Sequence, residues 1–167
     1  MNNSLAYAAM LAFALVVPSG ASAHGADDHS GKAKAAISPE EHAFGVEGDP
    51  RKASRTIVLT MDDSFHYSHS KIRVARGETV TLVVTNKGKV LHELVLGTAS
   101  ELQEHAELMR KNPGMEHDEP YMAHVKPGGT ERITWKFTKP GTFLYGCLVA
   151  GHFEAGMKGT IVVAGGK

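Results

Sequence analysis

Tyr145-Gly146-Cys147-Leu148-Val149-Ala150-Gly151-His152-Phe153-Glu154-Ala155-Gly156-Met157-Lys158-Gly159 places a thiol, an imidazole and a thioether on one loop, with four residues between each successive pair. On its two sides Thr142 to Gly146 and Lys158 to Val163 read as strands, so the loop joins neighbouring strands. Its glycines permit the tight curvature that lets three side chains converge.

Working outward, the same rhythm of short strands and turns continues. Thr130 to Phe137 alternates between the turns Pro127-Gly128-Gly129 and Lys139-Pro140-Gly141. Upstream, Thr56 to Met61, Lys71 to Ala75, Glu78 to Thr85 and Val90 to Leu96 read as strands. Val80, Leu82 and Val84 share one face of the third of these, and Asn86-Lys87-Gly88 turns the chain after it. One excursion interrupts the pattern. Ser100 with Gln103 suggests a capping box, Leu102, Ala106 and Met109 fall at helical spacing, and Asn112-Pro113-Gly114 stops the helix. A loop is expected from there to Ala123. There is no internal repeat. The expected fold is all-β: a Greek-key β-sandwich with one short helical insertion.

Composition limits what such a chain does. With 167 residues, 42% of them hydrophobic, the chain builds one globular domain. Eighteen basic and eighteen acidic residues cancel, which leaves no footprint for nucleic acid or an acidic membrane. Leu5 to Val17 is apolar, Pro18 and Gly20 break it, and Ala21-Ser22-Ala23 fits a cleavage site. Residues 1–23 are therefore expected to be a signal peptide and the protein periplasmic, with no membrane attachment after cleavage. Residues 24–53, with His24, His29 and His42, read as a flexible arm, and 54–167 as the folded domain. Cys147 is the only cysteine, so an intrachain disulfide is excluded. A lone thiol in an oxidising compartment has to be buried or ligated.

A second imidazole, His92, lies 55 positions before Cys147 on a strand that a sandwich can bring alongside. Taken singly, His92 reads as a satisfied strand histidine, Cys147 as an inert buried thiol and Met157 as core. Taken together they form a donor set. A thiolate and two imidazoles satisfy both copper oxidation states, and a weak axial thioether tunes the potential. Zinc is the competing ion, and thioether is a poor ligand for it. The expected cofactor is one copper ion held by His92, Cys147, His152 and Met157.

From Thr56 to Val163 the chain resembles the cupredoxin family. The resemblance rests on Asn86-x-Gly88 ahead of His92 and on Cys147-x4-His152-x4-Met157-Lys158-Gly159. It implies a type 1 copper site with His92, Cys147 and His152 equatorial and Met157 axial. The two four-residue gaps resemble rusticyanin-like loops rather than the shorter plastocyanin-like ones. The histidine-bearing arm and the segment from Glu101 to His124 resemble the periplasmic cupredoxins of bacterial copper tolerance.

Other donors are spread outside this set. Met109, Met115, His117, Met122 and His124, with His105, read either as a weaker accessory copper site or as core filler and solvated histidines. His66 and His69 read as surface loop or metal donors. A mature terminus at His24 offers an amine and an imidazole together. Two roles share the central site: copper tolerance, with copper ions as partners, and electron transfer, with a redox partner docking at Val149, Phe153 and Ala155. An enzyme is not expected, because Gly146 and Leu148 flank Cys147 and no His-x-His pair exists. The expected state is a monomer.

Overall fold

A computed structural model describes residues 36–115 and 117–165. The expected signal sequence, its cleavage site, His24 and His29 lie outside the described residues.

Two sheets pack face to face. The first contains β1 (Glu41–His42), β2 (Gly45–Glu47), β3 (Arg55–Asp62), β4 (His66–Tyr67), β6 (Thr79–Asn86) and β9 (Thr130–Lys136), in the order β1-β2-β9-β6-β3-β4. The second contains β5 (Lys71–Ala75), β7 (His92–Gly97), β8 (Met122–Val125), β10 (Gly141–Gly146) and β11 (Lys158–Ala164), in the order β5-β11-β10-β7-β8. Pairs β3–β6 and β5–β11 are parallel and the others antiparallel, so the chain crosses repeatedly between the sheets. This is the expected all-β sandwich.

Period-two alternation builds the core. Val80, Leu82 and Val84 on β6 point inward and are buried, as are Leu59 and Met61 on β3, Ile133 and Trp135 on β9, and Phe143 and Tyr145 on β10. Strand β7 is different: all six of its residues are buried. The insertion explains this. Helix α1 (Ala99–Lys111) lies over the outer face of β7, where Leu102, Ala106 and Met109 meet Val95, Met122, Leu148 and Phe153. A strand covered on both faces reads as a continuous apolar run.

Four local expectations are corrected. The helix is capped by Thr98, whose hydroxyl accepts from Glu101 N–H at 3.2 Å while the Glu101 carboxylate accepts from Thr98 N–H at 2.8 Å. Ser100 and Gln103 fit the same motif two residues late; because β7 runs to Gly97, the helix starts at once after it. β7 begins at His92 rather than Val90. Met122 and Ala123, the end of the expected loop, instead begin the edge strand Met122–Val125, which pairs with β7 and is too short to show alternation. Residues 36–53, read as arm, contain β1 and β2 and the buried Phe44. Trp135 Nε1–H donates to the Phe44 carbonyl at 3.1 Å, and the two rings stack with centroids 5.2 Å apart. Burying one such aromatic side chain contributes about 2 kcal/mol, enough to dock a segment with no periodicity of its own.

Candidate metal centre

The inward rows of four strands end at the same place. His92 continues the row of Leu94 and Leu96, Cys147 that of Phe143 and Tyr145, and Asn86 that of Val80, Leu82 and Val84. Met157 immediately precedes β11. The register pairs Gly146 with both Lys158 and Val95, which brings the end of β10 beside the starts of β11 and β7. His92, Cys147 and Met157 are wholly buried there, and His152 is half-buried.

Cys147 Sγ lies 3.3 Å from His152 Nδ1 and 4.0 Å from His92 Nδ1. The imidazole centroids are 5.0 Å apart. Among the described residues these three form one donor group, with all ligand atoms within 4.8 Å of one another. Burial pushes the Cys147 thiol up to about 12, with the N–H groups of Glu93 and Val149 pulling the other way. The His152 imidazole is lowered from its usual value, first by burial and then by His92 beside it. Such a pocket disfavours an uncompensated thiolate and an imidazolium alike, and it favours a cation that neutralises the sulfur while accepting two imidazole lone pairs.

Neighbouring groups orient these donors. Asp63 Oδ1 sits 3.1 Å from His92 Nε2. A proton on Nε2 shared with that carboxylate leaves the Nδ1 lone pair facing Cys147, the carboxylate–histidine arrangement of many metal sites. The backbone N–H groups of Lys89 and Val90 fix Asp63 in turn, and Lys89 is the first cause of the lowering of its carboxyl. Asn86 donates to the carbonyls of Val90 and Val125, both at 2.8 Å, and accepts from Gly88 N–H at 2.8 Å. It thereby clamps the turn that delivers His92. The Glu93 N–H points at Cys147 Sγ across 3.3 Å. Phe65 holds a left-handed backbone, φ 61°, and lays its ring 4.6 Å from that of His152. Such a conformation costs a bulky residue on the order of 1 kcal/mol, which the ring contact helps to offset.

The loop from Cys147 to Met157 is braced by its own backbone hydrogen bonds. Cys147 N–H donates to the Met157 carbonyl and Met157 N–H to the His152 carbonyl, both at 3.0 Å, and His152 N–H donates to Val149 at 2.9 Å. Gly151 and Gly156 adopt φ of 87° and 100°, the left-handed region that side chains avoid.

Of the outlying sequence candidates, Met109 and Met122 pack under the helix as core. His66 bonds to the Ser64 carbonyl and His69 to the Ser68 hydroxyl, and neither joins the centre. Phe153, read as part of a docking patch, is buried in the helix cluster instead. Asp63, Phe65 and Glu93 were not identified from the sequence as site residues. They carry no spacing signal, since their role depends on which loop meets which strand.

The chain has known relatives in sequence and fold. Residues 55–164 match the sequence profile of the copper binding proteins of the plastocyanin/azurin family. The copper-resistant cuproprotein CopI of Rubrivivax gelatinosus is 41% identical over 98% of this chain and 99% of its own length. The protein of the same name from Pseudomonas aeruginosa is 32% identical over 78% of this chain and 88% of its own. Among solved structures, the reduced auracyanin of Roseiflexus castenholzii superposes with a TM-score of 0.58 at 26% identity, covering 67% of this chain and 98% of that one. Auracyanin B, at 22% identity and a TM-score of 0.59, shares the fold over 74% of this chain and 96% of its own. Because that profile takes in every strand from β3 to β11 and one relative aligns almost end to end, this chain belongs to the plastocyanin/azurin family of copper-binding proteins.

Proposed function

We propose that this chain is an exported type 1 copper protein of bacterial copper tolerance, with His92, Cys147, His152 and Met157 as its ligands. The observation that carries the reading is the convergence of one buried thiol and two imidazole Nδ1 atoms within 4.8 Å. Its relatives named copper-resistant cuproproteins support the tolerance role. Bound copper supplies a one-electron couple. The chain supplies the rest: Cys147 gives up its proton to become the soft donor, Asp63 keeps the Nδ1 lone pair of His92 directed inward, and the sandwich excludes water. Because strands and a hydrogen-bonded loop fix the donors, little has to move when the charge of the site changes. The role is binding and redox conversion of copper rather than catalysis on a substrate.

The decisive experiment grows a deletion strain in graded copper, with respiratory rate measured in parallel. Loss of tolerance restored by the wild-type gene, and not by Cys147→Ser, is expected. Normal tolerance with a lost electron-transfer rate would favour a soluble carrier instead. That second reading draws on Val90 and Leu91, which are 46% and 41% exposed beside His92 and suit an apolar docking rim. Export has its own check: Edman sequencing of the protein from a periplasmic fraction should start at His24, and an intact Met1 would refute cleavage.

Met157 is fully buried beside the centre, in the same core cluster as Cys147. An axial thioether bonds weakly while the other three donors set the geometry. Met157→Leu should therefore retain copper and raise the reduction potential, because the remaining donors stabilise the divalent state less. Electrochemistry of the purified variant measures this, and loss of copper from a folded Met157→Leu protein would count against an axial role.

A further inference from the structure

Two buried side-chain polar atoms lack a hydrogen-bond partner among the described residues: Glu93 Oε2 and His117 Nδ1. Their residues line the same cleft, of about 480 Å³, together with Met115, Asp118 and His124. Glu93 is only 4% exposed. A carboxylate oxygen so deeply buried is costly unless something pairs with it. His124 stands opposite Glu93 in the β7–β8 register, with its Nδ1 at 2.9 Å from Glu93 Oε1. Its Nε2 faces the His117 carbonyl at 2.8 Å and Asp118 Oδ1 at 3.5 Å. A neutral imidazole has one N–H to donate, yet both nitrogens of His124 face oxygens. In that form one nitrogen lone pair is opposed by oxygen, and either a second proton or a metal cation at that nitrogen removes the mismatch.

We propose that Glu93, His117 and His124, with Met115 and Asp118 at the mouth, form a second and weaker site for divalent copper. Two imidazoles with a carboxylate suit copper and zinc, and among divalent first-row ions copper binds such donors most tightly. Unlike those of the central group, these donor atoms do not all lie within 4.8 Å of one another. His117 lies in the loop between α1 and β8 and closes the site by turning toward His124, so binding is weaker than at a preformed centre. Met109 and Met122 take no part, being core. The cleft is also wired to the centre: Glu93 follows His92, and its N–H is the group that approaches Cys147 Sγ. The site lets a copper-handling protein collect a second ion next to the redox centre, and to that extent it rests on the reading above.

The test uses the full chain carrying His24→Ala and His29→Ala, so that the segment ahead of β1 adds no imidazoles. One equivalent of Cu(II) fills the central site, reported by its thiolate band, and further Cu(II) is followed by electron paramagnetic resonance. A second Cu(II) signal with ordinary, wide hyperfine splitting is expected. His117→Ala with His124→Ala should abolish it and leave the visible band in place, which also shows that the fold persists. Glu93→Gln, which keeps the shape and the backbone N–H, should weaken the second affinity about tenfold or more. No second signal in the parent, or a second affinity unchanged by the paired histidine substitutions, overturns the proposal. A missing thiolate band in the parent would count against the central copper reading alone, since the second signal is scored independently of it.

Discussion

Cys147→Ser should yield a folded protein without the intense visible band and with copper affinity lowered by more than about a hundred-fold, beyond what loss of an outer-shell partner costs. In the proposed centre the thiolate is the covalent donor, and a hydroxyl stays protonated at any pH at which the protein is stable. The fold should survive because the replacement keeps a hydrogen bond. Cys147 is fully buried, and the Glu93 N–H that now points at its sulfur from 3.3 Å can donate to a serine oxygen instead. The stability cost should stay near 1 kcal/mol, the typical loss for a conservative core change. Copper titration read by absorbance, with thermal unfolding in parallel, measures both effects. Added copper should raise the Tm of the wild type, because the assembled donors bind the ion more tightly than the unfolded chain does, and should barely move that of the variant. A serine protein that keeps the band would remove Cys147 from the centre.

Asn86→Ala should be the most damaging polar change outside the donors, lowering stability by about 3 kcal/mol. Asn86 has no exposed surface, and its amide satisfies three backbone groups: the carbonyls of Val90 and Val125 and the N–H of Gly88. Truncation leaves these without their partner in a site at the closed end of the sandwich. Each orphaned buried group costs about 1–3 kcal/mol, with part of the total recovered where water enters. Urea unfolding should show the loss as a lower midpoint at an unchanged slope, which would place the effect in the native state. The same change frees the turn from Lys87 to Leu91, so His92 should hold copper more weakly. A loss well under 1 kcal/mol would mean that the three bonds contribute little.

Much of this was legible in the sequence because it is local. Alternation of apolar residues is a property of neighbours two apart, and it located β3, β5, β6, β9, β10 and β11 to within a residue or two of their ends. Donor chemistry is likewise carried by residue type, so Cys147, His152 and Met157 on one loop pointed to a metal without any tertiary contact. Short elements escaped. β1, β2, β4 and β8 have two to four residues each and hold their places through pairing and, near β1 and β2, through a single aromatic side chain. The cap of α1 slipped because two overlapping stretches fit one motif, and only the end of β7 decides between them.

By itself the sequence determined the class of fold and singled out the donor set proposed here, divided between one strand and one loop, since backbone alternation and ligand softness belong to the residues. Only the tertiary structure decided which partners those donors acquired. Asp63 reaches His92 across 29 residues, Glu93 N–H reaches Cys147 across 54, and Met109 and Met122 turn from possible ligands into core because a helix covers β7. Such contacts arise where separate strands and loops are brought to one end of the sandwich, and the closing of long loops leaves no trace in local periodicity.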